Sequence, residues 1–169
     1  MTLKLFAQPY HPSASGFPFA SIEEFETATA TLKNAYGQPV EEFEFQFIDG
    51  EEIDSALGRA WGLNQVNFGA FIDAVEQWHD YQKIRYIIAV GDCGYNFDPA
   101  RDHPDDLEVD IYELDSLKEL AEQFVEDGLF GSIPESIAHY IDADAIARDL
   151  AIEYSEITIA GKRLVYACR

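Results

Sequence analysis

Thirty-two Asp and Glu residues face only 11 Lys and Arg in a chain of 169 residues, a formal net charge of -21. A chain that repels itself this strongly must either bury a substantial core or keep its charged segments apart. Material for a core is present, since 47% of residues are apolar and 14% aromatic, including 12 Phe and 9 Tyr. Wholesale disorder is excluded by that composition. Direct binding of nucleic acid or of an anionic membrane is excluded as the main activity, because phosphates would be repelled. No apolar run approaches the ~18 residues of a membrane-spanning helix, and the first residues lack the order of a signal peptide, so a cytoplasmic location is expected. Cys93 and Cys168 lie far apart in sequence. Without zinc-ligand spacing, both read as free thiols.

The charge is uneven. Residues 98–156 hold 18 acids against Arg101, Lys118 and Arg148, and residues 22–54 hold 10 acids against Lys33. Between them, residues 55–97 carry four acids and three bases, and the last 13 residues carry only Lys162, Arg163 and Arg169. Two acidic blocks therefore flank a nearly neutral, aromatic-rich centre. Adaptation to high salt would spread acids over the whole surface and need not leave such a centre.

Periodicity predicts alternating short strands and helices. Leu3 to Ala7 reads as a strand and Tyr10 to Phe19 as a loop punctuated by prolines. Ser21 with Glu24, and Ser116 with Glu119, are capping boxes ahead of helices. Phe43, Phe45 and Phe47 alternate with Glu42, Glu44 and Gln46 as in a half-buried strand. Glu51 to Ala60 predicts a short helix, and Asn64 can cap a second whose Phe68, Phe71, Ile72, Val75 and Trp78 form an apolar stripe. Ile84 to Val90 is nearly all apolar and reads as a strand covered on both faces, followed by an irregular stretch to Leu107. Glu108 to Leu114 reads as a strand too short to fix its buried face. Leu117, Leu120, Ala121, Phe124 and Val125 then follow helical spacing up to Gly128. Pro134 suits a helix first turn, Asp142 can cap the next helix, and a hairpin around Gly161 closes the chain.

Catalytic signals are few. Gly91-Asp92-Cys93-Gly94 is a weak match to a nucleophile turn, with Tyr95 where the elbow's last glycine would stand. Asp98, Asp102, Asp105, Asp106 and Glu108 lack the alternating spacing and central glycine of a calcium loop, and His103 beside them reads as solvated. An enzyme or metal-binding domain using Asp92, Cys93, His103, Asp105 and Asp106 is one alternative. An acidic adaptor for some other basic protein is another. The charge itself favours mimicry of DNA. At one phosphate per ~1.7 Å of duplex axis, as many carboxylates as this chain has match roughly 16 base pairs, or about 54 Å. A compact domain of this length would be only about 40 Å across, so an elongated string of small units suits the spacing better.

The run from Ile111 to Leu150 carries Gly128 to Gly131, Ile133-Pro134-Glu135, Tyr140-Ile141-Asp142 and Ala147-Arg148-Asp149-Leu150. It resembles the ArdA family of antirestriction proteins, and residues 22–80 resemble it more loosely through the order of their elements. The resemblance implies an elongated, curved α/β (α+β) chain of three small domains, with short mixed or antiparallel sheets and packed helices. These would be an N-terminal α/β domain over 1–61, a central domain over 62–103 and a C-terminal α/β domain over 104–169. It further implies a homodimer without cofactor, metal or catalytic residue. Such a protein occupies the DNA-binding groove of type I restriction-modification enzymes, inhibiting restriction and, to a lesser degree, modification. The carboxylates expected to face that partner are Glu41, Glu42, Glu44, Asp102, Asp105, Asp106, Glu108, Asp110, Glu113, Asp115, Glu119, Glu122, Glu126, Asp127, Glu135, Asp142, Asp144, Asp149 and Glu153.

Overall fold

Alternation in the segment after Glu42 does what its period requires. β3 (Phe43–Asp49) buries Phe43 and Phe45 and turns Glu44 and Gln46 to solvent. It pairs antiparallel with β1 (Lys4–Pro9), whose other edge pairs with β2 (Phe17–Phe19), giving the order β2-β1-β3. The expected loop from Tyr10 to Phe19 thus ends in a strand. Pro18 is tolerated there because β2 is an edge strand, where a missing N–H breaks no ladder on the open side. Gly16 lets β2 approach, since a Cβ would stand 2.5 Å from the Phe6 ring. The computed structural model describes residues 2–169, which form seven α-helices and two three-stranded antiparallel sheets, a mixed α/β fold.

The helix α1 (Ile22–Thr31) begins where the capping box places it. Ser21 Oγ accepts from the Glu24 N–H at 3.1 Å, and the Glu24 carboxylate reaches back to the Ala20 N–H at 2.7 Å. Phe25 on its inner face enters a cluster with Phe17, Phe19, Phe43, Phe45 and Phe68, with ring centroids 4.9 to 6.1 Å apart. Offset and edge-on rings at such distances add to simple burial.

Next come α2 (Glu52–Trp61), closed by Gly62 in the left-handed region, and α3 (Phe68–Gln77). Asn64 does not cap α3 directly. Its Oδ1 accepts from the Val66 and Asn67 N–H groups in the turn before the helix. Phe68 of α3 belongs to the phenylalanine cluster, while Phe71 meets Trp61 in a second cluster with Trp78, Tyr86 and Phe97.

The strand expected over Ile84 to Val90 is a helix. α4 (Asp80–Tyr86) runs without a break into a π-helical turn, Ile87–Asp92, marked by the Cys93 N–H bonding the Ile88 carbonyl at 2.9 Å. The misreading has a physical cause. Gln82, Lys83, Ile84 and Tyr86 to Ala89 are all buried. A helix packed on most sides shows no polar face, so periodicity cannot separate it from a buried strand. After it the chain is irregular, as expected, except for a 3₁₀ turn at Pro104–Asp106.

The last third follows its sequence pattern closely. β4 (Val109–Tyr112), β5 (Ser155–Ile159) and β6 (Lys162–Cys168) form the second sheet, with β6 central. The helix α5 (Leu117–Glu126) repeats the first cap. Ser116 Oγ accepts from the Glu119 N–H at 3.2 Å and the Glu119 carboxylate from the Asp115 N–H at 2.8 Å. At its end Gly128 adopts a φ of 76°, and the Leu129 N–H returns to the Phe124 carbonyl at 3.0 Å, a Schellman closure. The short α6 (Glu135–Ala138) follows Pro134, and α7 (Ala143–Leu150) is capped by Asp142 accepting from the Ala145 N–H at 3.0 Å. Leu120, Phe124, Tyr154, Val165 and Ala167 make the core, with Tyr112, Leu114, Leu117 and Leu150 packed on it. Tyr112 of β4 and Leu114 just beyond it thus face this core, while Val109 is the buried residue of the strand itself.

Contacts divide the chain into two compact units, Met1–Asp105 and Asp106–Arg169. One expectation about chemistry is overturned. Neither Cys93 nor Cys168 is a free thiol, since both are disulfide-bonded. Spacing along the chain carries no information about the bonding state of a cysteine, and the expectation rested on spacing alone.

Candidate functional site

The carboxylates expected to face a partner are displayed by the folded chain. Of the nineteen, all but the half-buried Asp110 are exposed. Exposure follows from the local patterns that place them. Glu44 lies on the outward side of β3, and Glu119, Glu122 and Glu126 follow spacings of three and four along α5, opposite Leu120, Ala121 and Phe124. At 1.5 Å per residue, these three glutamates rise along roughly 10 Å of helix.

The set separates by what each carboxylate touches. Asp110 holds the Arg169 guanidinium, with Nε at 2.6 Å, and Glu113 holds Lys162 Nζ at 2.8 Å. Asp144 lies 3.4 Å from Lys118 Nζ. Glu119 and Asp142 cap helices. Asp102 accepts from the Asp98 N–H at 2.7 Å, and Asp105 accepts from Gln82 Nε2 at 3.2 Å and stands 3.3 Å from His103 Nδ1. Glu108 also has a partner. By contrast, Glu41, Glu42, Glu44, Asp106, Asp115, Glu122, Glu126, Asp127, Glu135, Asp149 and Glu153 have side chains with no hydrogen bond or ion pair among the described residues. These eleven present their full charge to water or to a partner.

Sequence reasoning missed part of the surface. Glu23, Glu26, Glu52, Asp73, Glu76, Asp80 and Glu156 are exposed as well. For Glu23 and Glu26 in α1, and Asp73 and Glu76 in α3, the helical periodicity was legible and could have placed them outside. The residues up to Asp105 carry 17 acids against six bases, and the rest carry 15 against five, so the two units bear nearly equal net charge. Asp98, whose carboxyl is held below the usual range by the Ala100 N–H and then by Arg101, serves its own turn.

Of the residues suggested for an enzyme or metal site, His103 and Asp105 stand together as a pair. No group of three or more His, Cys, Asp or Glu side chains among the described residues is placed to hold a metal. Cys93, in a disulfide, offers no thiolate. No helix among the described residues is long and apolar enough to cross a membrane.

A mixed α/β chain with a dispersed, largely unneutralised carboxylate surface defines an acidic protein suited to meeting a cationic one. Residues 14–162 match the ArdA family of antirestriction proteins, and the chain belongs to that family. No curated protein matches it. Its class of action is accordingly interference with restriction, by a family whose members are not enzymes.

Proposed function

We propose that this protein presents the charge pattern of B-form DNA to the DNA-binding groove of a type I restriction-modification enzyme. Restriction is inhibited, and modification to a lesser degree. The observation that carries this reading is the unpaired state of eleven exposed carboxylates spread over both units. Solubility does not require so large an imbalance, and unpaired like charges cost self-repulsion. A cationic groove relieves that cost on binding.

In the same reading, the chain is organised as modules 1–61, 62–103 and 104–169, the first two sharing the aromatic seam at Phe68. The protein acts in the cytoplasm as a homodimer. Leu129, Phe130, Ile137 and Tyr140 support an apolar contact of that kind, as they are exposed between 47% and 76%.

The test is competition between this protein and duplex DNA for a purified type I methyltransferase at a series of salt concentrations. The protein should displace DNA, and its affinity should fall at least tenfold between about 50 and 200 mM salt. Affinity that does not change with salt, or binding that leaves DNA in place, rules the reading out.

A further inference from the structure

A groove of about 410 Å³ opens between the loop after β1 and the segment entering β3, lined by Tyr10, Pro12, Pro39, Val40, Glu41 and Glu42 among others. Four sets of hydrogen bonds fix its walls. Ser13 Oγ accepts from the Ala35 N–H at 2.9 Å and lies 2.9 Å from His11 Nδ1, joining the first loop to the turn ahead of β3. Asn34 Oδ1 accepts from the N–H groups of Tyr36 and Gln38 at 2.9 and 3.1 Å, and Lys33 pairs with Pro39 to close that turn. The Gln65 amide donates to the Glu41 carbonyl at 2.7 Å and accepts from the Phe43 N–H at 3.1 Å, as a neighbouring strand would. From the other side the Tyr10 N–H donates to the Glu42 carbonyl at 3.2 Å.

The backbone of two adjacent glutamates is therefore pinned on both sides, while their carboxylates have no partner among the described residues. Beside them stand apolar walls and an aromatic ring, Tyr10, that is 66% exposed. This combination fits a guest with an apolar stem and a cationic head. We propose that the groove receives an arginine side chain of the basic protein partner, its stem against Pro12, Pro39 and Val40. Its guanidinium then lies at the Glu41 and Glu42 carboxylates and against the Tyr10 ring. Arginine is favoured over lysine because its planar fork bonds carboxylates bidentately, stacks on aromatic rings and is more weakly hydrated. The inference rests on the cationic partner of the proposed function. It adds a shaped anchor to what would otherwise be diffuse charge.

The probe is the tripeptide acetyl-Gly-Arg-Gly-amide, titrated into the full-length ¹⁵N-labelled protein, with lysine and citrulline counterparts as controls. Saturable amide shifts should be confined to residues 10–13 and 33–42, at least fivefold tighter for arginine than for lysine and absent for the uncharged citrulline. Glu41→Gln with Glu42→Gln should abolish them, and Tyr10→Ala should weaken them, in proteins whose remaining spectrum is unchanged. Shifts scattered over the acidic surface, equal shifts with citrulline, or shifts that survive the paired glutamine substitution overturn the proposal. Competition against DNA for the methyltransferase separates the two ideas. If wild type displaces DNA and the Tyr10→Ala, Glu42→Gln protein does so equally well, the groove is not the anchor and mimicry stands. If wild type does not displace DNA while the arginine peptide binds, mimicry falls and the groove stands.

Discussion

Lys83 Nζ lies 2.6 Å from Asp54 Oδ1, and the two side chains are only 6% and 7% exposed. Asp54 is the one buried acid among the described residues of this strongly acidic chain. The pair links α2 to α4, and its charges compensate each other where water cannot. Removing one partner leaves an unpaired buried charge, so Asp54→Ala or Lys83→Ala should each destabilise the protein by about 3 to 5 kcal/mol. Replacing both, as Asp54→Leu with Lys83→Met, should restore much of the loss. Urea denaturation of the four proteins checks this. A double variant no more stable than the singles would show that the pair is not the source of the cost.

The closing hairpin turns through Ala160 and Gly161, with φ of 49° and 76°. Two consecutive residues at positive φ between paired strands make a turn that favours Asn-Gly. Alanine in the left-handed region costs roughly 1 kcal/mol. Ala160→Asn should therefore raise stability by about 0.5 to 1 kcal/mol, seen as a higher Tm, and Ala160→Val should lower it. The site is exposed and carries no charge, so inhibition should not change.

Much of this architecture was legible because its signals are local. Ser21 and Ser116 mark helix starts through bonds spanning three residues, and the alternation through Phe43 to Phe47 reports one face of one strand. What was not legible depends on the surroundings of a segment. Ile84 to Val90 lost its period through burial on most sides, and Phe17 to Phe19 became a strand only because β1 offered an edge. For the acidic surface, the sequence gives the sign and the approximate face of each carboxylate. It does not show which carboxylates are consumed by partners. Glu122 and Glu113 look alike in sequence, yet only Glu113 holds a lysine. The Gln65 clamp on Glu41 and Phe43 joins residues more than twenty apart and leaves no local trace.

Tyr86 is 5% exposed and stacks on Trp61 at a centroid distance of 4.8 Å. Burial pushes its hydroxyl up to about 12. An acid whose folded pKa exceeds its unfolded value, near 10, keeps its proton more tightly in the native state. Its contribution is then complete below pH ~10 and is lost as pH rises through about 12. Tyr86→Phe should flatten stability between those pH values while leaving it nearly unchanged at pH 7. Denaturation midpoints across the alkaline range decide this, and an equally steep decline in the variant would refute it.

Because Cys93 and Cys168 are both disulfide-bonded, neither should react with iodoacetamide in the denatured, unreduced protein. After reduction both should react, which intact mass measures directly. Alkylation without reductant would contradict the bonded state.

The division of carboxylates into paired and unpaired groups predicts two separable phenotypes. Asp142 accepts from the Ala145 N–H at the start of α7, so Asp142→Ala should cost about 1 kcal/mol in stability. It removes only one charge from the surface, and inhibition by the remaining folded protein should stay close to wild type. Glu122, Glu126, Asp149 and Glu153 are exposed and touch no partner among the described residues. Converting all four to their amides relieves like-charge repulsion, so stability should hold or rise slightly. Binding that sums many modest charge contacts should nevertheless weaken, with a shallower dependence on salt. Each change made alone should matter little. Urea midpoints and inhibition titrations on the same preparations test both halves. Loss of all inhibition from a single amide substitution in a folded protein would point to a discrete site instead of a distributed charge surface.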